Sequence, residues 1–116
     1  MDMPFINVKT SAKLSDEQVG QIVKEMGQAI TGFPGKSEAY LMVNVEPDCN
    51  LYFKGNDSNN TAFVDVAVFG SAAKEYCENV TKSICDVLEN IAGVPSDRCY
   101  VKFEGNTLWG FDGFMF

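Results

Sequence analysis

Pro4 is the residue whose chemistry depends most on its place in the chain. Inside a chain, the nitrogen of proline is a tertiary amide without a proton. At a free N-terminus the same nitrogen is a secondary amine, and α-amino groups have a reference pKa of about 7.7–8.0. An apolar pocket lowers the pKa of such an amine, because burial penalises the cation. A free Pro4 nitrogen is therefore a candidate base for taking a carbon-bound proton.

The prefix Met1-Asp2-Met3 decides which of these two forms exists. Methionine aminopeptidases remove an initiator methionine that precedes a small residue, and Asp2 is not small. A chain translated from Met1 would keep the prefix, whereas one translated from Met3 begins Met-Pro and would lose its methionine. We therefore predict proton-transfer activity only for the form that begins at Pro4.

The other reactive side chains argue against a metal or an organic cofactor. The chain has no histidine, and its four cysteines, Cys49, Cys77, Cys85 and Cys99, form no C-x-x-C pair. Cys77 and Cys85 are eight residues apart on one predicted helix, too far for a mutual bridge. We expect four reduced thiols. Because no glycine-rich phosphate-binding loop is present either, the sequence predicts cofactor-independent chemistry.

The composition of the chain argues against some classes of binding partner. The 116 residues carry a net charge of −7, which argues against a nucleic-acid partner. No apolar run approaches the roughly 20 residues of a membrane helix, and the first residues lack the pattern of a signal peptide. We expect a single domain, residues 1–116, in the cytoplasm, without a membrane or nucleic-acid partner.

The first half of the chain predicts a strand, a helix and a second strand. Residues 5–10 alternate apolar and polar side chains, as a half-buried strand does. Ser15 precedes Gln18 by three residues, the spacing of a capping box at the start of a helix. After the helix, residues 39–47 form a nearly continuous apolar run, which is typical of a strand covered on both faces.

The second half repeats this order. Residues 61–70 predict a strand, Ser71 the cap of a second helix, and residues 99–105 the last long strand. The segments after the two helices, GFPGKSEAY and GVPSDRCY, are also alike. We predict an α/β fold with a duplicated βαβ unit, over about residues 4–54 and 61–116. The sheet should be four-stranded and mixed, with two helices on one face.

The C-terminal segment LWGFDGFMF concentrates aromatic side chains. Exposed, it would be an unusual apolar patch on a monomer, so we expect it to dock on its own sheet or on a neighbouring subunit. The sheet face without helices also needs a partner, which predicts an oligomer. Short extra strands are expected in this segment and in residues 50–53.

Five segments, PFINVKT, TGFPGKSEAYLMV, AVFGS, GVPSDRCYVKF and WGFDGFMF, occur in this order between Pro4 and Phe116. In order and spacing they resemble the macrophage migration inhibitory factor and D-dopachrome tautomerase family of the tautomerase superfamily. The resemblance implies a tautomerase-like homotrimer with active sites at the subunit boundaries. It also implies a catalytic N-terminal proline, to which Pro4 corresponds.

The resemblance assigns further site residues. Lys36 corresponds to the lysine beside the catalytic proline and would attract a substrate carboxylate or an enolate oxygen. Lys102 replaces an asparagine of a family member, and a second cation there would favour acidic substrates. The implied substrate-binding residues are Tyr40, Phe69, Tyr100, Lys102, Trp109, Phe111 and Phe116, with Tyr100 and Lys102 supplied by a neighbouring subunit. The alternatives are a solvated loop lysine for Lys36 and plain core packing for the aromatic residues.

These residues predict a phenylpyruvate or dopachrome type of keto–enol tautomerase, an isomerase acting on small aromatic α-keto acids. The alternative is a cytokine-like homologue that binds a receptor protein with little or no catalysis, and the family's export without a signal peptide makes secretion the alternative location. A dehalogenase or decarboxylase of the wider superfamily is disfavoured. Those enzymes usually carry an arginine pair, and Arg98 is the only arginine here.

Overall fold

The computed structural model describes residues 4–36 and 38–116, so the prefix before Pro4 lies outside the described residues. Two βαβ units are followed by a small C-terminal hairpin. The elements are β1 (Phe5–Thr10), α1 (Asp16–Ala29), β2 (Met42–Glu46), β3 (Ala62–Phe69), α2 (Lys74–Ala92), β4 (Cys99–Asn106), β5 (Gly110–Phe111) and β6 (Phe114–Met115). Short 3₁₀ turns occupy Ile30–Gly32, Glu38–Tyr40 and Ser96–Arg98.

The four long strands form one mixed sheet in the order β2-β1-β3-β4. Each βαβ unit contributes a parallel pair, β1 with β2 and β3 with β4. The two units meet at the centre of the sheet, where β1 and β3 run antiparallel. This confirms the predicted mixed sheet built from a repeated βαβ unit.

One face of the sheet carries the core. Alternate side chains of β1 and β3, such as Ile6 and Val66, are buried together with side chains from both helices, such as Ile22 and Leu88. Both helices therefore cover the same face, as predicted. Neither of these two helices, within the part of the chain that the structure describes, is long and apolar enough to cross a membrane.

The opposite face of the sheet is polar along its middle row. Asn44 on β2, Asn7 on β1, Asp65 on β3 and Lys102 on β4 are successive cross-strand neighbours. The Asn44 amide donates a hydrogen bond to Asn7 Oδ1 at 2.9 Å. Because polar side chains keep hydrogen-bonding partners when they are covered, whatever covers this face must offer polar groups or water.

The start of α1 confirms the predicted capping box. The Gln18 backbone N–H donates to Ser15 Oγ at 3.1 Å, and the Ser15 N–H donates to Gln18 Oε1 at 2.9 Å. Gln18 Nε2 also donates to the Ile91 carbonyl at 3.1 Å, which links the start of α1 to the end of α2. The cap thus joins the two halves of the chain.

Replacing the capping side chain should weaken the fold measurably. Ser15→Ala removes the acceptor for the Gln18 N–H, and we expect the free energy of unfolding to fall by about 1 kcal/mol. Urea denaturation of the variant and the parent chain measures this difference. The matched control is Ser83→Ala, at an exposed position inside α2 where alanine is the better helix former. Equal midpoints for the two variants would show that the cap contributes nothing.

The prediction for residues 39–47 is wrong about burial. The strand is shorter, Met42–Glu46, and its side chains alternate between exposed and half-buried. It is an outer strand of the sheet, and the helices cover only its inner-facing side chains, Val43 and Val45. Met42, on this edge strand, is 68% exposed and is therefore available to line a cavity or contact a partner.

The predicted cap of α2 and one predicted extra strand are also wrong. α2 begins after Ala73, which makes no side-chain capping bond, because residues 70–73 continue out of β3 before the helix starts. Ser71 therefore lies too far from the free N–H groups of the first turn to cap them. Residues 50–53 contain only a single bridge, between Phe53 and Asn56.

All four cysteines are free thiols. Burial raises the pKa of Cys99 to about 12, and the neighbouring Cys85 acts in the same direction. Because the thiolate is the nucleophilic form of cysteine, Cys99 has little reactivity at neutral pH. The proposed chemistry therefore does not involve this thiol.

Candidate active site

Pro4 lies at the start of β1, beside the outer strand β2. The Met42 N–H donates to the Pro4 carbonyl at 3.1 Å, which extends the β1–β2 pairing by one residue. Pro4 is buried and lines a cavity of about 370 Å³. The other lining residues are Phe5, Tyr40, Met42, Trp109, Gly110 and Phe111. This volume is within the range of small-molecule sites, about 300–1,000 Å³.

The C-terminal hairpin forms one wall of this cavity. Asp112 and Gly113 take positive φ angles of 52° and 83° at its tip, which a tight two-residue hairpin turn requires. The Phe116 N–H closes the hairpin onto the Trp109 carbonyl at 2.9 Å. The hairpin thereby brings Trp109 and Phe111 to the cavity, so the tail docks in part on its own chain.

An aromatic row connects the cavity wall to the sheet. The Tyr40 and Phe111 rings meet edge to face with centroids 5.6 Å apart, and Phe111 stacks on Phe116 at 6.1 Å. Phe116 in turn meets Phe69, at the end of β3, at 6.1 Å. Five aromatic residues predicted for the site therefore lie together: Tyr40, Trp109 and Phe111 at the cavity, with Phe116 and Phe69 behind Phe111.

Lys36 lines a second cavity, of about 290 Å³, together with Pro34, Ser71 and Tyr76. Its backbone N–H donates to the Phe33 carbonyl at 3.2 Å. Lys36 is not among the residues lining the Pro4 cavity, and its catalytic role stays a prediction.

Tyr100 and Lys102 lie on β4, at the opposite edge of the sheet from the Pro4 cavity. Pro4 leads into β1, and the strand order β2-β1-β3-β4 puts two strand spacings, about 10 Å, between β1 and β4. Tyr100 is 61% exposed on the face without helices. A single chain does not bring these two residues to Pro4, so their predicted role requires a second copy.

Asp65 is a residue that the sequence analysis missed. Its carboxylate forms an ion pair with Lys102 at 3.0 Å on the polar row of the sheet. The hydrogen bond to Asp65, and then the Asp65 charge, raise the pKa of Lys102. The pairing follows from the register between β3 and β4. No local sequence pattern predicts that register, because the two residues are far apart in the chain.

The Pro4 cavity suits a flat apolar ligand. Among the described residues that line it, none is a histidine, cysteine, aspartate or glutamate. Across residues 4–36 and 38–116, no three such side chains come together as metal ligands. The aromatic wall can instead hold a ring against Pro4 by edge-to-face or stacked contact.

Comparison with known proteins decides the family. The family model for macrophage migration inhibitory factor (MIF) matches residues 3–113. The chain belongs to the macrophage migration inhibitory factor family. The MIF of Xenopus laevis is 22% identical over 104 residues, which cover 87% of this chain and 86% of the relative.

Solved MIF structures share the fold over the whole chain. The crystal structure of Leishmania major MIF2 superposes with a TM-score of 0.90 at 24% identity, covering 98% of this chain and 97% of that chain. The MIF-like protein of Entamoeba histolytica gives a TM-score of 0.86 at 26% identity, with coverage of 98% and 99%. The predicted family and fold are thus confirmed, and membership supports a tautomerase-type isomerase or a MIF-like function.

Proposed function

We propose that this MIF-family chain is a cofactor-independent keto–enol tautomerase of small aromatic α-keto acids such as phenylpyruvate. In the form that begins at Pro4, the proline nitrogen is the general base. The observation that carries the proposal is the position of Pro4, buried in the lining of an apolar cavity with an aromatic wall. An apolar lining favours the neutral amine near neutral pH, and a positioned base contributes about 10²–10⁴-fold to the rate.

The reaction moves one proton between carbon and oxygen. The neutral Pro4 amine takes a proton from the carbon beside the keto group, and the electron pair of that C–H bond becomes part of the enolate. Transfer of a proton from the Pro4 ammonium, by way of water, to the enolate oxygen then gives the enol and restores the neutral amine, and the reverse steps return the keto form. Tyr40, Trp109 and Phe111 hold the substrate ring against the base.

The anionic end of the substrate requires a cation. The described residues that line the Pro4 cavity supply none, since they are aromatic residues, methionine, proline and glycine. In the proposal, Lys36 and a Lys102 from a neighbouring copy approach the mouth of the cavity and stabilise the carboxylate and the developing enolate charge. Tyr100 of that copy completes the wall.

A homotrimer would supply these residues. Pro4 leads into β1 and Lys102 lies on β4, with β3 between these strands, so a site that needs both takes Lys102 from a neighbouring copy whose β4 edge meets the β2 edge of this one. A head-to-tail contact of this kind, repeated by the same rotation, closes into a ring. The exposed side chains of the hairpin, Phe114 at 75% and Met115 at 63%, favour such a contact.

A variant of the hairpin tests the proposal. Phe111→Ala removes a ring that lines the cavity, and we expect it to raise KM for phenylpyruvate about tenfold in the form that begins at Pro4. Tyr52→Ala is the control, because Tyr52 is 66% exposed in the loop after β2 and does not line the Pro4 cavity. Turnover by the parent form no faster than in buffer would refute the proposed activity.

The cytokine-like alternative also has a feature in its favour. Leu108, Phe114 and Met115 are 79%, 75% and 63% exposed, an apolar surface that suits a protein partner. Receptor binding that survives Pro4→Gly, by a protein with no measurable turnover, would favour this alternative over the tautomerase.

A further inference from the structure

Lys102 already forms an ion pair within its own chain. Lys102 Nζ is 3.0 Å from the Asp65 carboxylate, and the two side chains are 60% and 39% exposed. Asp65 and Lys102 are directly opposite each other in the parallel β3–β4 ladder, so the backbone register holds the pair together. An anionic substrate that approaches Lys102 therefore meets a cation with a carboxylate already beside it.

A substrate carboxylate can replace Asp65 beside Lys102 only if the ion pair between these two side chains separates easily. Both side chains remain partly in water on the polar row of the sheet, and exposed pairs of this kind are weak. A buried pair would be too costly to separate. The Asp65–Lys102 pair is thus strong enough to lower the attraction for anions and weak enough to open.

Glu104 provides an internal comparison. It lies two residues beyond Lys102 on the same face of β4, and its charge also favours the protonated lysine. Glu104 has the smallest effect on the pKa of Lys102, whereas the hydrogen bond and the charge of Asp65 have the largest effects. Glu104 therefore carries the same charge near Lys102 without the direct contact.

We propose that Asp65 is a specificity-determining residue, which limits the binding of anionic substrates by competing with their carboxylate for Lys102. This inference rests on the proposed function, since it takes Lys102 to the substrate of a neighbouring copy. It implies that the chain discriminates less between acidic and neutral aromatic keto compounds than a site with an uncompensated lysine would. Asp65 acts through Lys102 and takes no part in proton transfer.

The test compares phenylpyruvate with its neutral methyl ester. In the form that begins at Pro4, Asp65→Asn should lower KM for the acid about two- to fivefold and leave KM for the ester unchanged. Glu104→Gln removes the same charge and should have less than half of that effect. In a Lys102→Met background, Asp65→Asn should have no effect on either compound. The dissociation constant of phenylacetate, an unreactive aromatic carboxylate, should follow the same order by calorimetry.

The outcomes separate this inference from the proposed function. If phenylpyruvate is turned over but Asp65→Asn and Glu104→Gln act equally, or the Asp65 effect persists without Lys102, the inference about Asp65 is wrong and the tautomerase stands. If no form turns over phenylpyruvate but the phenylacetate affinities follow the expected order, the tautomerase is wrong and the role of Asp65 stands. Absence of phenylacetate binding by every variant also overturns the role of Asp65.

Discussion

The form that begins at Pro4 should tautomerise phenylpyruvate at least about 100-fold faster than the form that retains Met1-Asp2-Met3. In the longer form the Pro4 nitrogen is an amide with no lone pair available for a proton. From Pro4 onward the two forms have the same sequence, so the residues that line the cavity are the same. The decay of the enol absorbance, followed with equal concentrations of the two forms, measures the difference directly.

The control for this comparison is the state of assembly. Both forms should sediment alike and unfold at the same urea concentration, so that a lower rate reports on the nitrogen and not on misfolding. Equal rates from the two forms would exclude the Pro4 amine as the base, whatever else the cavity binds.

Two inactive variants should restore activity when their subunits are mixed. One carries Pro4→Gly, and the other carries Tyr100→Ala with Lys102→Met. In a ring where each site takes Pro4 from one copy and β4 residues from the next, random exchange leaves about a quarter of the sites intact. Unfolding and refolding of a one-to-one mixture should therefore recover about a quarter of the parent rate.

The same mixture without refolding is the control, because its subunits have not exchanged. Each variant refolded alone should remain at its own low rate. A refolded mixture that only reaches the mean of the two separate variants would contradict a site shared between copies. It would then require Pro4 to work within one chain, without Tyr100 or Lys102.

Local patterns predicted the elements that depend on neighbouring residues in sequence. The Ser15 and Gln18 cap needs only three residues of spacing, and the structure contains both of its hydrogen bonds. The alternation in residues 5–10 likewise corresponds to β1. The two βαβ units could be predicted because each repeats the same order of patterns.

Features that depend on distant residues could not be predicted. The start of α2 at Lys74 follows from the path of the chain after β3, and no side-chain signal marks Ala73 as the cap. The Asp65–Lys102 pair joins residues 37 positions apart through a strand register.

A titration of the Pro4 nitrogen tests the proposed base itself. With ¹⁵N-labelled proline in the form that begins at Pro4, the nitrogen shift should report a pKa below the ordinary α-amino range of about 7.7–8.0. The pH dependence of kcat/KM for phenylpyruvate should show the same pKa, with activity rising as the amine loses its proton. A nitrogen pKa within or above that range, or a rate that does not change with pH around the nitrogen pKa, would exclude the Pro4 amine as the base.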